Sequence, residues 1–272
     1  MRIAVLGNGG FGTAMALTLE RAGHSVCLWG HDADYTSSIA ASRENPRYLS
    51  GVRLPAAIDV TSDGAAALSG AEVVLVAVPT QHVRAVMSGL VDRLGSDAPV
   101  VSLAKGLEQS TGKRPSQILA DVLGAPDRVF VLSGPSHAEE IAHGQPTTVV
   151  VAGSGEQRLL DLQAALQTER FRVYRNGDLL GVELCGALKN VMALAAGITD
   201  GLGYGDNAKA AILSRGIVEM QRYGLACGAD PQTFFGLAGV GDPAVWAPAG
   251  SLWFRPGDDS CQDPGPWPSP WP

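Results

Sequence analysis

Four side chains in this sequence lie where a reaction on a small anionic molecule would need them. Lys189 lies in a helical stretch of small and apolar residues, CGALKNVMA. Partial burial there would lower the pKa of a lysine toward the range useful for proton transfer. Lys105 ends a short apolar run before a glycine, which suits a cation that binds a phosphate or carboxylate group. Ser136 and Asp242 follow the turns GP and GVG, from which they would bind a substrate.

Each of these residues also has an interpretation that involves no chemistry. Lys189 would then extend along its helix to reach water, and Lys105 would be a surface lysine on a loop. Ser136 would cap the helical stretch His137–Ala142, whose free N–H groups offer an anion site as the functional alternative. Asp242 would be an ordinary turn aspartate, although it is also placed to accept a substrate hydroxyl or to hold Lys189. The residue types alone leave these alternatives open.

A glycine-rich turn near the first residue is the strongest signal in the chain. The apolar run Ile3–Leu6 predicts a buried strand, and three glycines follow it in the spacing G-x-G-x-x-G, at Gly7, Gly9 and Gly12. The first permits a tight turn, the second lets a pyrophosphate approach the backbone, and the third lets a helix pack closely on the strand. The phosphates would face the positive end of a helix dipole. The spacing predicts a dinucleotide-binding turn, and the alternative is an ordinary glycine-rich loop.

The end of the second predicted strand bears on the choice of cofactor. Folds specific for NAD often place a carboxylate there, against the ribose 2′-hydroxyl. Here Ser25–Trp29 is followed by Gly30 and His31, and Asp32 lies one residue further on, where it can cap the next helix. A histidine at this position suits an adenine ribose phosphate. The sequence therefore leaves NAD, NADP and a merely solvated His31 as open interpretations.

The overall composition limits the class of protein. The chain has 272 residues, of which 46% are hydrophobic and 17% charged, so it can bury a substantial core in one large or two ordinary domains. A net charge of −7 argues against a nucleic-acid partner. We expect a cytoplasmic protein without membrane insertion, because we find no long uninterrupted apolar run and no signal peptide. The four cysteines show no C-x-x-C pairing, which favours free thiols, and no group has metal-ligand spacing.

Apolar runs that alternate with helical stretches predict an α/β fold with a Rossmann-like, mostly parallel sheet. The run EVVLVAV at 72–78 is continuous, as in the buried strands of such sheets. Further strands are predicted at Val100–Ala104, Val129–Ser133, Thr147–Ala152 and Phe171–Arg175, and Arg43–Pro55 is predicted to be a loop. Ligands bind at the carboxyl ends of parallel strands. The loops at 7–12, 79–80, 105–106 and 134–136 should therefore face one crevice.

The strand pattern stops after Arg175. Leu179–Gly197 and Asn207–Ala226 are long helical stretches, which predict an all-helical C-terminal domain. We therefore predict a dinucleotide-binding domain at 1–176, a partial helical substrate domain at 177–242 and an irregular tail at 243–272. The tail contains four of the five tryptophans and eight of the 17 prolines, a composition that excludes regular helix and suits a shifted reading frame.

Six motifs in order resemble those of the bacterial-type NAD(P)-dependent glycerol-3-phosphate dehydrogenases: GNGGFGTA, LWGHD, AKGLE, SGPSHAEE, GALKNVMALAAG and AGVGD. The resemblance covers Met1 to Asp242. It implies a cytoplasmic homodimer that interconverts dihydroxyacetone phosphate and sn-glycerol 3-phosphate for phospholipid synthesis, with Lys189 as general acid and base. The implied substrate contacts are Lys105, Gly134, Ser136, Lys189 and Asp242. The implied cofactor contacts are Gly10, Phe11, His31, Lys105 and Ala138, beside the turn of Gly7, Gly9 and Gly12.

Past Asp242 the resemblance to the motifs of the family ends. The tail lacks the Ser-Arg-Asn segment of the family, whose arginine would bind phosphate through two parallel hydrogen bonds. This departure keeps two alternatives open beside an active enzyme. One is a catalytically impaired remnant that still binds the cofactor. The other is a related dehydrogenase of β-hydroxyacids, a class that shares a dinucleotide domain and a Lys-Asn pair in a helical domain.

Overall fold

A computed structural model describes residues 1–241, so that Asp242 and the predicted tail at 243–272 lie outside the described residues. Eight strands form one sheet in the order β10-β9-β8-β7-β6-β1-β2-β5. They are β1 (Arg2–Leu6), β2 (Ser25–Trp29), β5 (Ile58–Thr61), β6 (Val73–Val76), β7 (Val100–Ser102), β8 (Val129–Ser133), β9 (Thr147–Ala152) and β10 (Phe171–Asn176). The remaining two form a separate hairpin, β3 (Glu44–Asn45) and β4 (Leu49–Arg53).

Six neighbouring strands of the sheet, β5, β2, β1, β6, β7 and β8, run parallel. Strand β9 pairs antiparallel with β8, and β10 pairs parallel with β9. The carboxyl ends of the six parallel strands therefore meet at one edge of the sheet. This arrangement confirms the predicted Rossmann-like, mostly parallel sheet.

Nine α-helices connect or follow the strands of the described chain. They are α1 (Gly10–Arg21), α2 (Ala33–Ser42), α3 (Gly64–Leu68), α4 (Thr80–Leu90), α5 (Pro115–Leu123), α6 (Ala138–Ala142), α7 (Glu156–Leu166), α8 (Leu179–Gly201) and α9 (Gly205–Ala226). Short 3₁₀ turns cover Val91–Arg93, Pro126–Arg128 and Pro231–Phe235, and a π turn covers Leu237–Gly241.

Helices cover both faces of the sheet because alternate strand side chains point to opposite sides. In β1, Ile3 and Val5 join the core beneath α1 and α7, whereas Ala4 and Leu6 join the core beneath α4 and α5. The continuous apolar runs of the sequence follow from this two-sided burial. Apolar side chains thus fill the space between the sheet and the helices on both of its faces.

The prediction that Arg43–Pro55 is a loop is wrong, since this segment contains the β3–β4 hairpin. Its pairing is short and irregular, with a register shift between Glu44 and Asn45. In the five residues of β4 only Leu49 and Val52 are buried, so the segment lacks the two-residue period by which a strand is recognised. The short strand β5, at the edge of the sheet, also escaped prediction.

The last described elements are mainly helical, as predicted. Helices α8 and α9 share an apolar core with β8 and β9, in which Val182, Met220 and Phe234 pack on Val131 and Val150. Helix α8 reaches four residues beyond the predicted end at Gly197. The division of the chain into domains at 176/177 stays a prediction.

Helix α8 is the one described segment long and apolar enough to cross a membrane, with a mean hydropathy of 1.5 over its most apolar window. Only 44% of that window is buried inside the protein. The core helix of a soluble protein passes the same test of length and composition, so this feature is weak evidence for a membrane span. The expectation of no membrane insertion stays a prediction.

Candidate active site

Close backbone contacts shape the glycine turn between β1 and α1. Gly7 has a φ of +120°, and a Cβ on it would lie 2.6 Å from the carbonyl oxygen of Ala77. A Cβ on Gly12 would lie 1.9 Å from the carbonyl oxygen of Gly7, so α1 packs on the turn without room for a side chain. Gly9 differs, because within residues 1–241 no heavy atom other than those of its chain neighbours lies within 4 Å of its Cβ position. The turn is therefore closed on the protein side at Gly7 and Gly12 and open on the other side at Gly9.

Two buried asparagines hold this turn against the rest of the molecule. The side chain of Asn8 donates to Thr36 Oγ1 at 3.1 Å. Asn45 Nδ2 donates at 2.8 Å to the carbonyl oxygen of Asn8 and, at the same distance, to Thr13 Oγ1. The β3–β4 hairpin thus fastens the turn from outside the sheet. The sequence analysis missed this role, because Asn45 lies 37 residues from Asn8.

The cofactor-binding candidates beside the turn lie at the start of α1, at the start of α6 and just after β2, and their role stays a prediction. Gly10 and Phe11 form the first turn of α1, and a Cβ on Gly10 would lie 3.7 Å from Ala138 Cβ. His31 is exposed at the end of β2. Asp32 accepts the backbone N–H of Tyr35 at 3.0 Å and caps α2, as one interpretation expected. Because the carboxylate of Asp32 is engaged as a cap, the end of β2 presents His31.

Lys105 lies at the carboxyl edge of the sheet among polar groups from two loops. Its Nζ donates to the carbonyl oxygen of Gly134 at 3.3 Å and to Ser136 Oγ at 3.4 Å. Its own carbonyl oxygen accepts Thr80 Oγ1 at 3.0 Å. The loop after β8 therefore surrounds this ammonium and the loop after β6 bonds the lysine backbone, so three loops meet here as the parallel sheet predicted. Lys105 is partly buried and its head group faces these loops, and its role in binding stays a prediction.

Ser136 does not cap the helix that follows it. The N-cap position of α6 belongs to His137, and no side chain caps it. The Ser136 hydroxyl donates instead to the carbonyl oxygen of Gly134 at 3.0 Å, which turns it toward Lys105. Gly134 has a φ of +135° and lies against β9, so the loop has no room for a side chain there. The hydroxyl and the ammonium are thus held together at the carboxyl edge of the sheet.

Helix α8 brings Lys189 to the same region. A Cβ on Gly186 would lie 2.8 Å from Ser133 Oγ and 3.6 Å from Lys105 Cγ, so α8 touches the end of β8 and the side chain of Lys105. Lys189 lies one turn further along and is only 2% exposed. The alternative in which Lys189 extends into water is therefore wrong. The next residue, Asn190, is exposed.

A further side chain in this region was missed by the sequence analysis. Ser133 is buried at the end of β8, and its hydroxyl has no hydrogen-bond partner among the described residues. It faces Gly186, the residue that seats α8. The motif SGPS contains Ser133, but only Ser136 follows the Gly-Pro turn that predicts a binding loop.

The loop that carries Lys105 is clamped from α4. Arg84 forms a two-pronged ion pair with the buried carboxylate of Glu108, with N–O distances of 2.9 Å. Thr111 Oγ1 donates to the same carboxylate at 2.5 Å. Gln81 bridges this loop through the carbonyl oxygen of Leu107 and the N–H of Gln109. Bonds from Arg84 and Thr111 hold the pKa of Glu108 below its ordinary value.

The described residues offer no group of three or more metal-ligating side chains. Cys27 and Cys227 are free thiols. Burial raises the pKa of Cys27 to about 11, so its thiol stays protonated. The predicted substrate contact Asp242 lies outside the described residues. The last described residue, Gly241, is close to Pro135, since its Cβ position lies 3.5 Å from Pro135 Cγ.

Comparison with known proteins extends the motif resemblance over most of the chain. Residues 2–159 match the family model of the NAD-dependent glycerol-3-phosphate dehydrogenase N-terminus, and residues 178–251 match that of its C-terminus. The second match runs past Asp242, into the predicted tail.

Bacterial proteins named glycerol-3-phosphate dehydrogenase [NAD(P)+] also align with most of this chain. The chain is 47% identical to glycerol-3-phosphate dehydrogenase [NAD(P)+] of Chlorobium phaeobacteroides (strain BS1), over 90% of this chain and 74% of the relative. It is 50% identical to the protein of that name from Geobacillus kaustophilus, over 89% of this chain and 71% of the relative. The crystal structure of glycerol-3-phosphate dehydrogenase from Coxiella burnetii superposes with a TM-score of 0.86 at 37% identity, over 92% of this chain and 76% of that one.

Proposed function

The chain belongs to the NAD-dependent glycerol-3-phosphate dehydrogenase family, and from this premise we propose the reaction that its site performs. It interconverts dihydroxyacetone phosphate and sn-glycerol 3-phosphate, with NAD or NADP as cofactor. The observation that supports this most is the burial of Lys189, one helical turn from the glycine that lies on Lys105. A lysine buried near polar loops at the carboxyl edge of a parallel sheet is typical of a functional site.

The glycine turn fits the pyrophosphate of such a cofactor. Gly9 leaves open space, and the first N–H groups of the 12-residue helix α1 have no partner within the helix. We assign the pyrophosphate to Gly9, Gly10 and Phe11, and the adenosine end to His31. Ala138 lies across from Gly10 and would contact the cofactor from the other side. When bound, the nicotinamide supplies or takes up the hydride.

The polar groups around Lys105 would bind the substrate. A phosphorylated triose carries an anionic end that attracts the Lys105 ammonium, and polar oxygens that the Ser136 hydroxyl can contact. The loop of Gly134 supplies the backbone beside them. Asp242 is assigned to the substrate from the motif GVGD alone. The clamp from Arg84 to Glu108 keeps the lysine loop in one position, which favours orientation of the bound substrate.

Lys189 is the proton donor and acceptor in this proposal. As the carbonyl is reduced, negative charge grows on its oxygen, and the protonated amine of Lys189 stabilises that charge and donates a proton. In the reverse direction the neutral amine removes the hydroxyl proton. Both directions need the same nitrogen at hydrogen-bond distance from the same oxygen, which a side chain on a rigid helix can maintain.

The wider role is proposed from the family. The product would feed glycerophospholipid synthesis, and the enzyme would work in the cytoplasm as a homodimer, without nucleic acid and without membrane insertion. The free thiols of Cys27 and Cys227 suit a reducing compartment. The alternatives, an impaired cofactor-binding remnant and a β-hydroxyacid dehydrogenase, are not favoured by relatives that share both family regions.

A substrate panel tests the proposal. Purified full-length chain is mixed with NADH or NADPH and with either dihydroxyacetone phosphate or a β-ketoacid, and the absorbance of the reduced nicotinamide is followed. We expect saturable oxidation of the reduced nicotinamide with dihydroxyacetone phosphate and no oxidation with the β-ketoacid. Turnover with the β-ketoacid would support the rival dehydrogenase. Tight NADH binding without turnover of any substrate would support the remnant.

A further inference from the structure

A buried carboxylate joins the helix of Lys189 to the dinucleotide-binding fold. Glu183 lies near the start of α8 and is 4% exposed. Its Oε2 accepts Arg114 Nη1 and Ser116 Oγ, each at 2.5 Å, and its Oε1 accepts the backbone N–H of Ser116 at 2.7 Å. Three directional bonds therefore end on one side chain of α8.

The partners of Glu183 belong to a rigid part of the fold. Arg114 is the N-cap of α5 and Ser116 lies in its first turn, so the carboxylate lies at the positive end of that helix. Further along α5, Ile118 and Leu119 are fully buried in the core beneath the sheet. The bonds from α5 thus hold α8 against an element that cannot shift without opening the core.

The same helix carries Gly186, which contacts Lys105, and Lys189, the proposed proton donor. Gly186 lies one turn beyond Glu183, and Lys189 lies one further turn along. Six residues of helix span about 9 Å, which is short enough for the helix to transmit its rotation and register without bending. Apolar packing is non-directional and permits small sliding movements between helices. The hydrogen bonds to Glu183 are directional, so they can fix the rotation and register of α8 where apolar packing cannot.

We propose that Glu183 is a positioning residue of the dehydrogenase, which fixes the rotation and register of α8 and thereby the place of the Lys189 amine at the crevice. The inference rests on the proposed function of Lys189. An apolar residue of similar size at 183 would avoid the desolvation cost that a buried ion pair carries. A carboxylate in this position therefore contributes orientation more than stability.

The test replaces Glu183 by glutamine. Glu183→Gln keeps the size of the side chain but turns one acceptor oxygen into an NH₂ group, which faces the donors of Arg114 or Ser116. We expect kcat to fall about 100-fold, the loss that a displacement of about 1 Å can cause. NADH binding, measured by fluorescence, should stay unchanged, as should the KM for NADH. Arg114→Lys keeps the charge but changes the geometry, and we expect a smaller fall.

The matched control lies on the same helix. Asp200 pairs with the buried Lys209 at 2.5 Å, eleven residues beyond Lys189. Asp200→Asn breaks an ion pair of α8 as well, and we expect lower stability with kcat unchanged. An unchanged kcat in Glu183→Gln would overturn the proposal. So would an equal loss of kcat in Asp200→Asn, because that result would mean that any weakening of α8 suffices.

A second readout does not depend on turnover. Pulsed reductive methylation of the native protein, followed by peptide mass spectrometry, reports how accessible the Lys189 amine is. We expect faster labelling of Lys189 in Glu183→Gln and in Arg114→Lys, and no change in Asp200→Asn. If the wild-type chain binds NADH but turns over no triose phosphate, the proposed function fails, and labelling alone decides the inference. Equal labelling in the wild type and both anchor variants would then refute it.

Discussion

At the scale of single residues, the three glycines of the first turn serve different ends. Gly7 and Gly12 are required by contacts inside the protein, since a Cβ on either would meet backbone at 2.6 Å or less. A Cβ on Gly9 would contact no described residue beyond its chain neighbours, and the backbone of Gly9, with φ −69° and ψ 179°, suits any residue. Contacts within the fold thus explain two of the glycines, and we assign the third to the proposed cofactor.

Two alanine variants separate these roles. Gly12→Ala should destabilise the protein by about 3 kcal/mol, because overpacking against backbone cannot relax easily. Gly9→Ala should fold as well as the wild type or gain about 0.5 kcal/mol from a less flexible unfolded chain. It should nevertheless weaken NADH binding at least about tenfold. Urea unfolding and NADH fluorescence measure both effects, and normal NADH affinity in Gly9→Ala would remove the pyrophosphate from this turn.

Residue spacing allowed this turn to be predicted, because its chemistry lies within a few residues of sequence. The anchor of Glu183 could not be predicted in the same way. Its partner Arg114 lies 69 residues away, and an acid at the start of an apolar helix has many possible explanations. The role of Asn45 could not be predicted either, because its partner Asn8 is 37 residues away and its segment was predicted to be a loop.

At the scale of elements, the Lys105 loop depends on side chains from α4. Gln81 and Arg84 face the loop from successive turns, and Arg84 also pairs with Asp121 at 3.3 Å. The strand before the loop was predictable from its apolar run. The clamp was not, since an arginine on an amphipathic helix is usually solvated.

The clamp should make stability depend on pH. The pKa of Glu108 is lowered in the folded protein by Arg84 and then Thr111. Its contribution is therefore present above the pKa of an unfolded carboxyl, about 4.3, and is lost as the pH falls through the lower folded value. Glu108→Gln should be less stable than the wild type at pH 7, and the difference should shrink below about pH 4.

Urea unfolding at several pH values measures this difference. Asp97→Asn is the control, because Asp97 pairs with Arg158 at 3.4 Å but is 93% exposed and should contribute little at any pH. A constant difference between the wild type and Glu108→Gln from pH 7 to the acid range would show that the ionised pair contributes nothing to the clamp.

At the scale of the whole molecule, one face of α8 stays uncovered by the described chain. Val191, Leu194, Ile198 and Leu202 are each more than half exposed and follow one another at helical spacing. The other face of the helix packs on α9 and the sheet. A contiguous apolar stripe of this kind favours association with another surface.

We therefore expect concentration-dependent association of the purified chain. The double variant Leu194→Lys with Ile198→Lys places two charges in the stripe and should shift the protein toward monomer, while leaving NADH binding unchanged. Sedimentation velocity across a range of concentrations measures the shift. Unaltered association in the double variant would mean that copies of the chain meet elsewhere.

The central claim concerns Lys189, and one comparison tests it most directly. Lys189→Met keeps the length and apolar stem of the side chain but removes the amine. Turnover of dihydroxyacetone phosphate with NADH is measured beside NADH binding, with Lys113→Met, which removes a half-exposed lysine, as the control. We predict a loss of about 10²- to 10⁴-fold in kcat, the usual contribution of a general acid, with normal NADH affinity. Near-normal turnover in Lys189→Met would contradict the proposed mechanism.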